Sequence, residues 1–140
     1  MNIETKPLVR QRVDDWLAAF SPGEKKVNFT DLEQLYWREN ELLTYDTLSP
    51  VSTIISGWQS FEQVWKPFLN NLSAWRIELV GDPKFFDSPE LTVAALVFHG
   101  VGRTEVGEAV DVTAHATLVW LWRQGVWRII HEHVSHPVRL

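Results

Sequence analysis

The sequence predicts an α+β fold in which three N-terminal helices cover one face of a curved, mostly antiparallel sheet. Two observations carry this. Apolar residues recur at a helical period through the first half of the chain, and the second half changes to strand-like segments rich in Val, Ile, Thr and Trp, separated by Gly, Pro and Asp. Helices followed by a run of strands is the α+β order. A third observation sets the scale: 140 residues suffice for one domain, residues 1–140, with a single core burying about two-thirds of the unfolded surface.

The elements follow in order. In "LVRQRVDDWLAAF", Val9, Val13, Trp16, Leu17 and Phe20 share a helical stripe, and "SPG" at 21–23 ends it. "FTDLEQLYW" starts a short second helix, with Thr30 as cap, Glu33 completing a capping box, and Leu32, Leu35 and Tyr36 on one face. "ELLTYDT" is a brief strand, followed by a polar loop rich in Ser and Pro. "GWQSFEQVWKPFLNNL" aligns Trp58, Phe61, Trp65, Phe68, Leu69 and Leu72 on a third helix, which Pro67 is expected to kink or end. "AWRIELVG", "LTVAALVFHG", "GEAVDVTAHATLVWLWRQ" and "GVWRIIHEHVSH" are four successive antiparallel strands.

Composition excludes several function classes. A formal charge of −5 with scattered basic residues argues against a nucleic-acid surface, which needs clustered Lys and Arg. The chain contains no cysteine, so disulfides, thiolate nucleophiles and zinc thiolates drop out. The opening "MNIETKPLVRQ" lacks an apolar signal core. No apolar run approaches the ~18 residues of a membrane span. The default placement is cytoplasmic. Eight Trp and seven Phe must fill a core or an interface.

Alternation sorts the strand residues by face. Over 109–122 the even positions, Val110 to Trp122, are all apolar and small in the middle, whereas the odd set includes Asp111, Thr113, His115 and Thr117. Followed without a bulge, the same parity places His99, His115, His131 and His133 on the mixed outer face. The even face, with Leu118, Trp120 and Glu132, backs onto the helices, and its alanines leave room for a cavity. Val93, Ala95, Val97, Val119, Leu121, Trp127 and Ile129 on the odd face are too apolar for water, so a second copy of the chain is the expected cover.

"TLVWLWRQGVWRIIHEHVSHP" resembles the closing hairpin of NTF2-like proteins, in particular the SnoaL-like and calcium/calmodulin-dependent kinase association-domain branches. Their last strand carries Trp-x-x-x-His-x-His-x-Ser, matched by Trp127, His131, His133 and Ser135, and the resemblance extends over nearly the whole chain. It implies a cone-shaped roll, a pocket under the helices and a homodimer packed through the outer face. It also implies uses ranging from isomerase, cyclase and dehydratase chemistry to oligomerisation hubs. The ketosteroid isomerase branch carries its base at the end of the first strand, where this chain has Asp46. Its oxyanion tyrosine and penultimate-strand acid match Trp16 and Leu118, neither of which supplies an acidic O–H. The arginines of the association-domain branch match Phe98, Leu118 and Val134, so affinity for small carboxylates is not expected, and its pocket histidine matches Glu62.

The expected site is therefore a small-molecule pocket lined by Trp16, Tyr45, Trp58, Glu62, Trp65, Phe98, Leu118 and Trp120. Asp46 and Glu132 are its candidate acid/base residues, and no metal or organic cofactor is expected. Each has a structural alternative: Asp46 can cap the turn that follows it, Glu132 can pair with Arg128, Arg76 or Arg103, and the aromatic rings can be plain core. His115, Trp127, His131 and His133 are assigned to the dimer interface. A metal site built on His131 and His133 with His115 or Asp111 is the competing reading of that face. A non-catalytic association module is the competing function.

Overall fold

A computed structural model describes residues 8–137, so the amino-terminal stretch read above for a leader lies largely outside the described residues. Helix α1 (Val9–Ala19) buries Val9, Val13 and Trp16. Arg12 fastens it to the neighbouring elements, Nε donating to the Trp127 carbonyl at 3.0 Å and Nη2 to the Gln34 carbonyl at 2.7 Å. Helix α2 (Phe29–Glu33) is capped by Asn28, not Thr30: Asn28 Oδ1 accepts from the amides of Thr30 and Asp31. Asn is as good a cap as Thr, and the helix starts two residues earlier than the capping box implies. Glu33 is left to pair with Arg38 at 2.6 Å.

The first strand, β1 (Leu43–Asp46), pairs with β2 (Ile54–Ser56), a short edge strand hidden in the Ser- and Pro-rich segment. Helix α3 (Trp58–Asn70) buries Trp58, Phe61, Trp65 and Leu69 and continues three residues beyond Pro67. Pro67 and Gln63, whose carbonyl loses its helical partner, are both exposed, so water can take that partner's place. Then come β3 (Leu72–Leu79), β4 (Lys84–Asp87), β5 (Leu91–Thr104), β6 (Ala109–Arg123) and β7 (Val126–Ser135). The strand order is β2-β1-β7-β6-β5-β3, and β4 lies beside the other end of β5.

One pairing in this mostly antiparallel sheet is parallel, β1 beside β7, with Thr44 facing Glu132 and Asp46 facing Val134. The segment after α2 arranges it. The Trp37 amide donates to the Ile129 carbonyl, and the Ile129 amide to that of Leu35, so the chain is already aligned with β7 when β1 begins.

Two irregularities bend the sheet. In β3 the register shifts between Ser73 and Arg76, and Ala74 takes a positive φ of 52°. Trp75 then lies across Gly100, where a Cβ would come within 2.4 Å of the indole. In β7 Ile130 is an extra residue: Val119 pairs with His131, but Trp120 pairs with Ile129. This bulge corrects the parity reading. Before it, Trp127 and Ile129 face inward and are 4% and 0% exposed; after it, Glu132 and Val134 do. Trp127 therefore packs in the core beside Trp122 and is not on the outer face. Arg128 aligns with Leu121 on the outer side, over the Trp37 ring, so it cannot pair with Glu132.

The core fills the space between the helices and the inner face of the sheet. Among the described residues no helix is long and apolar enough to cross a membrane.

Candidate active site

Between α1, α3 and the inner sheet face lies a cavity of about 150 Å³. Trp16 and Phe20 close it at the end of α1, and Phe61, Trp65, Phe68 and Leu69 of α3 form its roof. Trp75, Ile77 and Phe98 line the β3–β5 side, Val110 and Val112 the β6 side, and Asp46, Leu48, Glu132 and Val134 the far end. Among the described residues the two carboxyls are its only ionisable lining groups.

Strand geometry explains why both acids point in. Glu132 aligns with Thr44 and Asp46 with Val134, so they are diagonal neighbours on one face. A strand spacing of ~4.8 Å and a rise of ~3.3 Å per residue put their Cα atoms about 8 Å apart. Glu132 is 2% exposed and Asp46 6%. The Tyr36 hydroxyl donates to Glu132 Oε1 at 2.6 Å, and the Trp16 indole N–H reaches the same oxygen at 3.2 Å and the Tyr36 oxygen at 2.9 Å. Oε2 makes no hydrogen bond among the described residues. Asp46 Oδ1 accepts from the Leu48 amide at 2.8 Å. That is the turn-capping role weighed above, and it leaves Oδ2 unengaged among the described residues.

Burial dominates the protonation of both. It raises the Glu132 pKa to about 8, against the lowering effect of the Tyr36 and Trp16 hydrogen bonds and with a smaller upward contribution from Asp46. It raises Asp46 to about 7, opposed by the Leu48 amide. Tyr36, wholly buried beside a carboxyl, is pushed well above the usual phenol value. Near neutrality Glu132 is therefore mainly the acid and Asp46 is poised between its two forms. The ion-pair alternative for Glu132 is not realised, since neither acid has a basic partner among the described residues.

Of the expected lining, Trp16, Trp65 and Phe98 reach the cavity, as do both acids. Trp58 instead stacks on Phe61 and leans on Tyr36 behind the wall. Leu118 and Trp120 are buried beneath Glu132 and Ile129 without reaching the cavity. Tyr45 points to the outer face, edge-on to His131 and His133 at 5.2 and 5.7 Å, because it is the odd neighbour of inward Thr44 and Asp46. Glu62 sits on the outside of α3, 3.5 Å from Lys66. Tyr36 was missed as a site residue. Its only sequence signal is a phenol on an apolar helix face, which needs a buried partner.

His115 and His133 are exposed on the outer face, and His131 is half-buried with Nδ1 2.8 Å from the Leu43 carbonyl. Among the described residues no three His, Cys, Asp or Glu side chains are grouped to hold a metal.

A family model described as a SnoaL-like domain matches residues 9–139. The chain belongs to the SnoaL-like domain family. Its fold is the α+β NTF2-like, cystatin-like one. An NTF2-like superfamily protein from Salmonella enterica serovar Typhimurium superposes with a TM-score of 0.80 at 18% identity, covering 94% of this chain and 89% of the other. A candidate dehydratase of the NTF2-like family from Streptomyces avermitilis gives 0.75 at 14%, covering 94% and 95%. A candidate calcium/calmodulin-dependent protein kinase II association domain from Xanthomonas campestris gives 0.73 at 21%, covering 100% and 95%. No match is found among curated proteins. Likenesses at these identities establish the SnoaL-like fold without an activity.

Proposed function

We propose that this SnoaL-like chain, acting as a single domain in the cytoplasm, is a cofactor-independent acid–base enzyme of the isomerase, cyclase or dehydratase type. Its substrate is a small molecule held in the cavity. One observation carries this reading: two carboxyls without cationic partners among the described residues face the same apolar cavity, one clamped by Tyr36 and Trp16 and the other bonded there at Oδ1 alone. Asp46 removes a proton from the substrate, and Glu132, held protonated by its burial, hydrogen-bonds to or protonates the atom where charge develops. Water exclusion by the aromatic wall strengthens both interactions.

The test is hydrogen–deuterium exchange, followed by NMR in D₂O, at the acidic carbons of a panel of small carbonyl compounds, neutral and amine-bearing. The native chain is expected to accelerate exchange for at least one of them, and Asp46→Asn and Glu132→Gln to lower that rate by about 10²–10⁴-fold. Acceleration that survives both substitutions sinks the reading.

The outer face supports a second function, self-association as a homodimer. Val93 and Val119 face each other there, flanked by Val97, Leu121 and Tyr45, and His115, His131 and His133 border them. Association-domain folds are among the structural relatives. If the face is a dimer interface, lysines at Val93 and Val119 together convert a dimer to a monomer in light scattering while the circular dichroism spectrum stays that of the folded chain. If the pair leaves the native mass unchanged, the interface lies elsewhere. An association module with an idle cavity is the outcome if the dimer forms and no exchange is found.

A further inference from the structure

The cavity pairs its two acids with an unusual wall: among the described residues seven of its fifteen lining side chains are aromatic, and none is Lys, Arg or His. Buried charge is normally paired or suppressed. Here Asp46 and Glu132, both more than nine-tenths buried, each keep one carboxyl oxygen without a hydrogen bond among the described residues. An anionic ligand would meet two acids and no counter-charge. A neutral apolar ligand would satisfy the rings and leave the acids unanswered. A cation is attracted by both, by the π-faces of a ring-lined box and by a carboxylate at its end.

We propose that the cavity binds a compact organic cation, with its alkyl groups against the aromatic wall and its charge beside the Asp46–Glu132 pair. The assignment rests on the reading of this cavity as the working site and names its ligand class. At about 150 Å³ the space suits a molecule near the size of benzene, which restricts the cation to a small ammonium. Two neighbouring carboxyls resist ionising together, so the complex holds one carboxylate and one acid against one positive charge. The pair therefore enters the complex with an acid and a base still in place. The cation requires the pair to give up one proton. Asp46 titrates at about 7, so affinity rises as pH rises towards that value and levels above it.

Trp16, Trp65 and Trp75 line the cavity, so intrinsic fluorescence reports binding. The full chain is titrated with choline and with 3,3-dimethyl-1-butanol, its uncharged carbon isostere, near pH 6 and near pH 8, and the titrations are repeated with Asp46→Asn. Choline is expected to bind at least about tenfold more tightly than the alcohol near pH 8, and to lose about tenfold per pH unit below neutrality. The alcohol is expected to be indifferent to pH. Asp46→Asn should weaken choline by about tenfold or more and leave the alcohol unchanged. Equal or tighter binding of the alcohol near pH 8 overturns the cation assignment and leaves the acid–base reading standing. Binding of neither probe also overturns the cation assignment, while the exchange experiment decides the acid–base reading separately.

Discussion

The inner and outer faces of the sheet both hold protons more tightly than free side chains do, for opposite reasons. Inside, Asp46 and Glu132 favour the neutral form because burial disfavours their charge. Outside, His99 favours the charged form, chiefly through its hydrogen bond to Asp111 at 2.8 Å, with Glu78 3.8 Å away. A raised pKa therefore does not identify a site by itself. The inner acids are candidates because the cause is burial at an apolar cavity with room for a ligand, while the His99 cluster is a surface network that solvent screens.

The most severe way to break this division is Trp127→Ala, since the bulge at Ile130 is what lets Trp127 and Glu132 face the same side. Trp127 is 4% exposed, so its truncation leaves a cavity in the core. The expected result is a loss of about 3–5 kcal/mol of folding stability, read as a large fall of the denaturant midpoint. A variant that melts like the native chain would show that Trp127 does not pack on the inner face.

A milder perturbation separates the faces by pH. For Glu132 the folded pKa of about 8 exceeds the model-peptide value of 4.5, and Asp46 behaves alike, with about 7 against 3.8. Below the lower values folded and unfolded chains are equally protonated. As pH rises between them, only the unfolded chain ionises, so stability is lost until the folded pKa is passed. Urea midpoints are expected to fall steadily from about pH 5 to pH 8. Glu132→Gln, which cannot ionise, should flatten part of the slope. A slope identical in that variant would mean that Glu132 is not the buried acid described here.

The gentlest test concerns the outer face. Asp111→Asn should return the His99 pKa towards the ordinary imidazole value, with Glu78 still holding part of the shift, as followed by NMR of the ring protons. The native His99 contribution is present at low pH and fades as pH rises through its raised pKa. Since His99 is exposed, the melting temperature should barely change.

How far these faces could be read in the sequence depends on whether a ladder is continuous. In β5 and β6 alternation runs unbroken, so burial of Ala94, Leu96, Phe98, Ala114, Ala116 and Leu118 follows from parity. In β7 the same rule correctly turned Glu132 inward and the histidines outward, yet failed for Trp127 and Ile129, because nothing local marks Ile130 as a bulge. Tyr45 was placed in the pocket by its aromatic character, although it alternates with Thr44 and Asp46, both buried. Strands β2 and β4, of three and four residues, are too short to carry a period. Tyr36 escaped notice because its partner lies 96 positions away.

Residue order alone determined the α+β class, the family likeness, the order of helices and long strands, and the inward direction of Glu132. These are local properties, set by periodicity and by which residues tolerate burial. The tertiary structure decided the parallel docking of β1 on β7, the hydrogen-bond clamp of Tyr36 and Trp16 on Glu132, and the position of the bulge. It also decided that no basic group among the described residues lines the cavity. All four depend on segments distant in the chain meeting in one register, and the free energy that selects a register belongs to the assembled pair of strands.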